Sequence, residues 1–291
     1  MGTINVMELG IIYDKIRFEE KQIYDKAVEK EINTKLIDAK SIIINSNYEQ
    51  GKLDFGDFFL QRCLSHFRGV HITKCFEFLD YPIINSYEIS ETCGNKLKTT
   101  LALAKAGIPS PKTYVTFNSE SFRKLSEEIG FPFVLKPLVG SWGRGVFPIR
   151  NEEMMNMIIE TREENDNPFS RIYYVQEMIK RPPRDIRCIV IGDEIITAVY
   201  RYSDVNEWRT NVARGGHTEI APITTELQEI VSKTLKVIGN GILGIDLMED
   251  NKRGFVVHEV NNNVEFRGAS KVSNVNIANA IIEYIIKLNK K

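Results

Sequence analysis

The sequence predicts an α/β protein in three parts, an α+β mixture in which a parallel sheet comes first and antiparallel strands follow. Apolar strand, charged helix and second strand alternate over residues 9–37, the order that sets strands side by side in one direction. Runs at 185–191, 194–202, 244–248 and 254–263 make an antiparallel-looking set, and a turn of Asp, Asn, Lys and Gly joins the last two.

The elements follow in order. Residues 9–13 are a strand, 15–30 a helix, 34–37 a second strand and 41–45 a third. Residues 57–67 read as another helix, and 80–86 as a strand running into a turn. A single helix is expected over 90–107, with Ser90 as its N-cap, Glu91 in its first turn and Gly107 as its stop before Pro109 and Pro111. Strand 112–117, helix 119–129, strand 131–137, a glycine-rich loop and strand 146–150 come next. After a charged helix and a loop at 164–168, strand 173–178 ends at the basic turn Lys180-Arg181-Pro182-Pro183-Arg184. Helix 225–238 interrupts the antiparallel set, and an apolar helix with a basic end closes the chain over 276–291. Expected domains are 1–92, 93–180 and 181–291.

Composition excludes several classes. A formal net charge of -1 argues against a general nucleic-acid binder, which needs a basic excess. There is no apolar run of bilayer length, so no membrane role is expected, and residues 1–10 do not resemble a signal peptide. Cys63, Cys75, Cys93 and Cys188 are scattered without a Cys-x-x-Cys pair, which suits reduced thiols and a cytoplasmic protein. No Gly-x-Gly-x-x-Gly follows the first strand, and no Walker pattern occurs.

Chemistry concentrates in a few places. On a strand, Glu259 and Asn261 share one face, and a hairpin of ordinary register brings Asp246 to the same face. Two carboxylates and an amide oxygen form a hard oxygen site, suited to magnesium and the phosphates it carries. The same alternation turns His258 away from Glu259, which makes it structural. Gly140-Ser141-Trp142-Gly143-Arg144-Gly145 has enough glycine to turn backbone N–H groups inward on a phosphate, although a hairpin turn of this kind needs no ligand. Lys136 ends the strand before it, a cation placed for the same phosphate. Asp185 and Arg187 alternate as an exposed pair on one strand face, which by itself is a surface salt bridge. Arg201, Arg209 and Arg214 bring the arginines around the acidic cluster to four, which suits several anions handled together.

Taken in order, Asn95-Lys96, Phe133-Val134-Leu135-Lys136-Pro137, the glycine-rich loop, Val175-Gln176-Glu177, Asp185-Ile186-Arg187, Asn211-Val212-Ala213-Arg214-Gly215-Gly216, Asp246, Glu259-Val260-Asn261 and Glu265-Phe266-Arg267 resemble an ATP-grasp ligase. The resemblance covers essentially the whole chain, strongest from Lys96 onward, and points to the RimK-type branch, nearest the carrier-protein ligases of lysine and arginine biosynthesis (the LysX and ArgX type).

The resemblance implies an ATP-grasp fold, with an N-terminal parallel α/β domain ahead of two α+β subdomains that grip ATP. It also implies roles. Lys96 and Lys136 contact nucleotide phosphates, Gly140 to Gly145 close over them, and Glu177 and Met178 lie in the hinge that holds adenine. Asp246, Glu259 and Asn261 hold one or two Mg2+ ions. Arg187 and Arg201 orient substrate carboxylates, while Asn211 and Arg214 stabilise an acyl phosphate and the tetrahedral intermediate. Glu265 and Phe266 contact the amino acid. The implied reaction is an ADP-forming union of the 2-aminoadipate α-amino group with the C-terminal glutamate γ-carboxylate of a small acidic amino-group carrier protein (LysW-like). The turn 180–184 is the expected docking patch for that partner, and a homo-oligomer is expected. Glutamate as the amino acid, a RimK-type glutamate ligase acting on another protein or a cofactor, and a nucleotide-binding protein without turnover are the alternatives.

Overall fold

A computed structural model describes residues 7–46, 56–203 and 216–290, and places three four- or five-stranded sheets around one cleft. The first sheet is parallel, in the order β2-β1-β3-β4, from β1 (Glu8–Tyr13), β2 (Asn33–Asp38), β3 (Phe58–Gln61) and β4 (Ile83–Ile84). Helix α1 (Phe18–Glu29) joins β1 to β2, and α2 (His66–Phe78) joins β3 to β4. The second sheet is antiparallel, β5-β8-β6-β7, from β5 (Thr113–Thr116), β6 (Phe133–Lys136), β7 (Phe147–Ile149) and β8 (Tyr173–Glu177). Its core of Phe122, Phe133, Leu135, Tyr173 and Val175 is closed by α5 (Ser119–Ile129) and α6 (Glu152–Glu163).

The third sheet, β11-β10-β9-β12-β13, carries the chemistry. It comprises β9 (Arg184–Gly192), β10 (Glu194–Tyr202), β11 (Thr218–Ile220), β12 (Gly241–Asp250) and β13 (Gly254–Asn261). Strand alternation divides its side chains between two cores. Cys188, Val190, Leu243 and Ile245 pack with Leu227, Val231 and Leu235 of α7 (Thr225–Ile238). Ile189, Ile191, Val199 and Ile242 on the other face pack with Ile281, Ile282 and Ile285 of α8 (Ile277–Asn289), and through that helix with Leu9, Ile11 and Ile23 of the first unit. The α8 face is apolar only at one end. Farther along the same strands it becomes Asp185, Arg187, Arg201 and Asp246, and there it faces the cleft.

Three sequence expectations need correction. Residues 57–67 are not a helix: Phe58, Phe59, Leu60 and Gln61 are all buried as a parallel strand, and the helix starts only after Ser65, whose hydroxyl accepts from Arg68 N. A strand buried on both faces reads as a continuous apolar run, which helical periodicity can mimic. Residues 41–45 are not a strand either; a 3-10 turn ends at Ser41, and Ile43 is exposed. Helix 90–107 is two helices, α3 (Tyr87–Cys93) and α4 (Lys96–Lys105), with N-caps Ser86 and Asn95 instead of Ser90. Asn95 Oδ1 accepts from Leu97 N and Lys98 N, starting a new helix, and Gly94 leaves room for the His66 ring, which an added Cβ would strike.

Asn85 joins the parallel unit to the third sheet. Its amide Nδ2 donates to Ile242 O at 2.9 Å and Asn262 O at 2.7 Å, and its Oδ1 accepts from Ile242 N at 2.7 Å. The side chain is buried, so its removal leaves backbone groups without partners. Asn85→Ala should therefore lower the unfolding free energy by about 3 kcal/mol in urea titration, whereas an exposed asparagine such as Asn165 should give a change within about 0.5 kcal/mol.

Candidate active site

The three sheets border a single cavity of about 1440 Å³. That exceeds a typical small-ligand pocket of roughly 300–1,000 Å³ and leaves room for more than one substrate. Lys96, Lys136, the Gly140 to Arg144 loop, Glu177, Met178, Arg187, Arg201, Asp246, Glu259, Asn261 and Glu265 all line it. Phe266 does not: it is buried in the α8 core, edge-on to Phe18, so its expected contact with substrate is replaced by a packing role. Asn211 and Arg214 lie outside the described residues.

Cross-strand register builds the charged floor. Arg187 faces Asp246 across β9 and β12, Arg201 faces Asp185 across β10 and β9, and Asp246 faces Glu259 across β12 and β13. Arg187 grips Asp246 with Nε and Nη2, both at 2.7 Å. Arg201 does the same to Asp185 at 2.7 and 2.8 Å, and its Nη2 also lies 3.0 Å from Asp246 Oδ2. Asp185 and Arg201 are buried, so the exposed surface salt bridge suggested by alternation becomes an interior network. Burial alone would raise the Asp246 carboxyl, but Arg187 and Arg201 outweigh it and hold that group well below the usual carboxylate range. Burial likewise opposes ionisation of Glu259, and Lys96, 3.2 Å away, brings its pKa below the ordinary value.

The lysines stand where the sequence placed them. Lys136 ends β6, and its Nζ donates to Gln176 Oε1 at 2.6 Å. Burial pushes it down to about 8, against the pull of Glu259. Lys96 opens α4 and donates to Gly140 O at 2.7 Å, touching the base of the glycine-rich loop. In that loop Gly140, Trp142, Gly143 and Gly145 all have positive φ. The three glycines adopt this backbone without strain; Trp142, at φ 58, does so with its ring anchored. Trp142 Nε1 donates to both Glu265 oxygens at 3.1 Å, and Arg144 lies over the indole. At the far wall, Glu177 accepts from Lys112 N and from Arg253 Nη2, each at 2.7 Å.

His258 requires a correction. The expected register holds through Asp246 opposite Glu259, but Leu247 then pairs with Val257, so His258 is surplus in a β-bulge. The bulge defeats simple alternation and leaves His258 with its polar atoms beside Asp246 and Glu259 instead of facing away. Burial lowers its pKa to about 4, with Lys136 adding to the effect.

Sequence reasoning also missed the part played by the parallel unit. Arg17 Nη1 donates to Glu265 Oε1 at 3.0 Å, Glu19 Oε1 accepts from Phe266 N and Arg267 N, and buried Arg62 reaches Glu20 and Val264 O. These residues hold segment 262–267 against the cavity. The charged start of α1 was the available signal, but a charged helix is ordinarily a solvated one. The basic turn 180–184 is largely committed inward: Arg184 pairs with Glu249 at 2.7 Å and stacks on Tyr200, while Arg181 donates to Arg184 O. Only Lys180 and Pro183 in that turn are exposed, which weakens it as a docking patch for an acidic partner.

A cleft between two antiparallel sheets, with lysines on one wall and paired carboxylates on the other, defines an ATP-dependent ligase fold of the ATP-grasp kind. The chain belongs to the RimK-like ATP-grasp family: that family's domain model matches residues 93–285, and a LysX preATP-grasp domain model matches residues 9–92. It is 38% identical to an alpha-aminoadipate–LysW ligase LysX of Sulfurisphaera tokodaii, over 98% of this chain and 100% of the relative. It is 34% identical to a glutamate–LysW ligase ArgX of the same organism, over 96% of this chain and 98% of the relative. Among solved structures, a RimK domain ATP-grasp protein of Sphaerobacter thermophilus matches with a TM-score of 0.77 and 20% identity, covering 96% of this chain and 99% of the other. The protein is an ATP-dependent, ADP-forming ligase. No described helix is long and apolar enough to cross a membrane.

A buried lysine below its ordinary value is partly neutral, and a triphosphate favours its charged form. Nucleotide binding at pH 8 should therefore take up about half a proton at Lys136, read by calorimetry in buffers of different ionisation heat. Lys136→Met should abolish that uptake.

Proposed function

We propose that this ligase joins the α-amino group of 2-aminoadipate to the C-terminal glutamate γ-carboxylate of a small acidic amino-group carrier protein, in lysine biosynthesis. The observation that carries the reading is the near-complete alignment with LysX relatives, at 36–38% identity over 94% or more of this chain. The cavity supports it: nucleotide, amino acid and an inserted peptide end are three bodies, and the space exceeds what one of them needs.

In the proposed mechanism Lys96 and Lys136 bind the phosphates, and the glycine-rich loop covers them, excluding water that would hydrolyse the activated intermediate. Glu177 and Met178 line the adenine end. The carrier carboxylate oxygen takes the γ-phosphoryl group, ADP departs, and an acyl phosphate results. The substrate amine then attacks the acyl carbon, phosphate leaves with the C–O bond, and the nitrogen gives up a proton, forming the amide. Arg187 and Arg201 offer positive charge where oxyanions gather, a task of positioning and electrostatics more than covalent help. Asp246, Glu259 and Asn261 are the residues that would hold Mg2+, and their hard oxygens on adjacent strands fit that ion. When bound, magnesium neutralises phosphate charge. Asn211 and Arg214 are proposed to serve the acyl phosphate and tetrahedral intermediate.

Glutamate in place of 2-aminoadipate is the second reading, favoured by the comparable 34% identity to ArgX. The two amino acids differ by one methylene, worth about 1–3 kcal/mol in a pocket.

Purified protein incubated with ATP, an acidic carrier ending in glutamate and each amino acid separately should release ADP and add the mass of one residue to the carrier, faster with 2-aminoadipate. No mass gain with any carrier and either amino acid overturns the proposal. Glu259→Ala should reduce turnover at least about a hundredfold while the circular dichroism and melting temperature stay near wild type.

A further inference from the structure

We infer that His258 supplies a nitrogen ligand to the divalent cation of this site and biases it toward ions that accept imidazole, such as Mn2+, over Mg2+. The inference rests on the proposed cation role of Asp246 and Glu259. Four observations carry it. The bulge on β13 leaves His258 unpaired, directly before Glu259, the residue that faces Asp246. One donor atom from each of the three side chains lies within 4.8 Å of the other two. Both ring nitrogens are shut off from solvent, and neither has a hydrogen-bond partner among the described residues. The residue lines the same cavity as the two lysines.

A buried imidazole ordinarily spends at least one nitrogen on a hydrogen bond, so two idle nitrogens mark a place for something from outside. Beside two carboxylates, the partner that suits a nitrogen lone pair is a cation. Mg2+ prefers oxygen ligands and gives up water reluctantly, whereas imidazole suits the transition ions. A surplus residue in a strand is also a known means of re-aiming one side chain near a functional centre.

The test is pulsed electron paramagnetic resonance of Mn2+ bound to the untagged full chain, without nucleotide and with ADP. Directly bound imidazole gives a nitrogen modulation; 15N-histidine labelling should change its frequency, which separates protein from adenine nitrogen. The chain has four histidines, so His258→Leu assigns the signal and should remove it. The same variant should lose about tenfold in Mn2+ affinity while Mg2+ affinity changes less than about twofold. Mn2+ that binds in a manner sensitive to Asp246→Asn, yet shows no histidine nitrogen in the wild-type chain, overturns this inference and leaves the cation site standing. A histidine nitrogen seen only through a hydrogen bond to nucleotide, with weak coupling that vanishes without ADP, overturns it too. Failure of Mn2+ to bind with or without ADP overturns both the inference and the proposed cation site.

Discussion

The network of Asp185, Arg201, Asp246 and Arg187 is the constraint on which the rest depends. Two of its four members are carboxylates with almost no solvent contact, and such charges are tolerable only when paired with good geometry. The pairing comes directly from antiparallel register, since each partner sits opposite or next to its mate on a neighbouring strand. A slip of one residue in β9 would send these charges into the α7 core and the apolar set into the cleft. The site and the sheet thus specify one another. The same network also occupies Asp246 fully, so a cation arriving there competes with Arg187 for its oxygens. An arginine freed by that competition would leave a positive charge available to an anion in the cleft.

A second set of contacts places the parallel unit within the site. Asn85 ties it to β12, while Glu19 and Arg62 hold the strand of chain after Asn261 by its backbone. These bonds are to main-chain groups and set the path of segment 262–267, while Arg17 and Cys63 hold the Glu265 and Asn263 side chains.

Much of this was legible in the residues. Helices 119–129 and 225–238, the hairpin of β12 and β13, and the meeting of Asp246 with Glu259 follow from caps, periodicity and alternation. The failures have physical causes. The strand Phe58–Gln61 is buried throughout because both of its faces are covered, which erases the apolar/polar alternation that distinguishes a strand from a helix. His258 was misplaced because one surplus residue inverts parity locally, and nothing in the composition of Val257-His258-Glu259 marks it. Phe266 was assigned to the substrate through the resemblance of Glu265-Phe266-Arg267 to the family pattern, but alternation of burial along 264–266 turns it into the core. The Arg17 to Glu265 contact spans most of the chain and has no local signature.

The carboxylate of Glu265 is shared by an indole from the glycine-rich loop and a guanidinium from the parallel unit. The chain has only two tryptophans, and one of them makes this contact. If the loop opens as the proposed mechanism requires, that indole passes from a charged hydrogen bond into water, a change of surroundings that alters its emission. Trp142 would then be an optical gauge of the loop's position, readable without a dye.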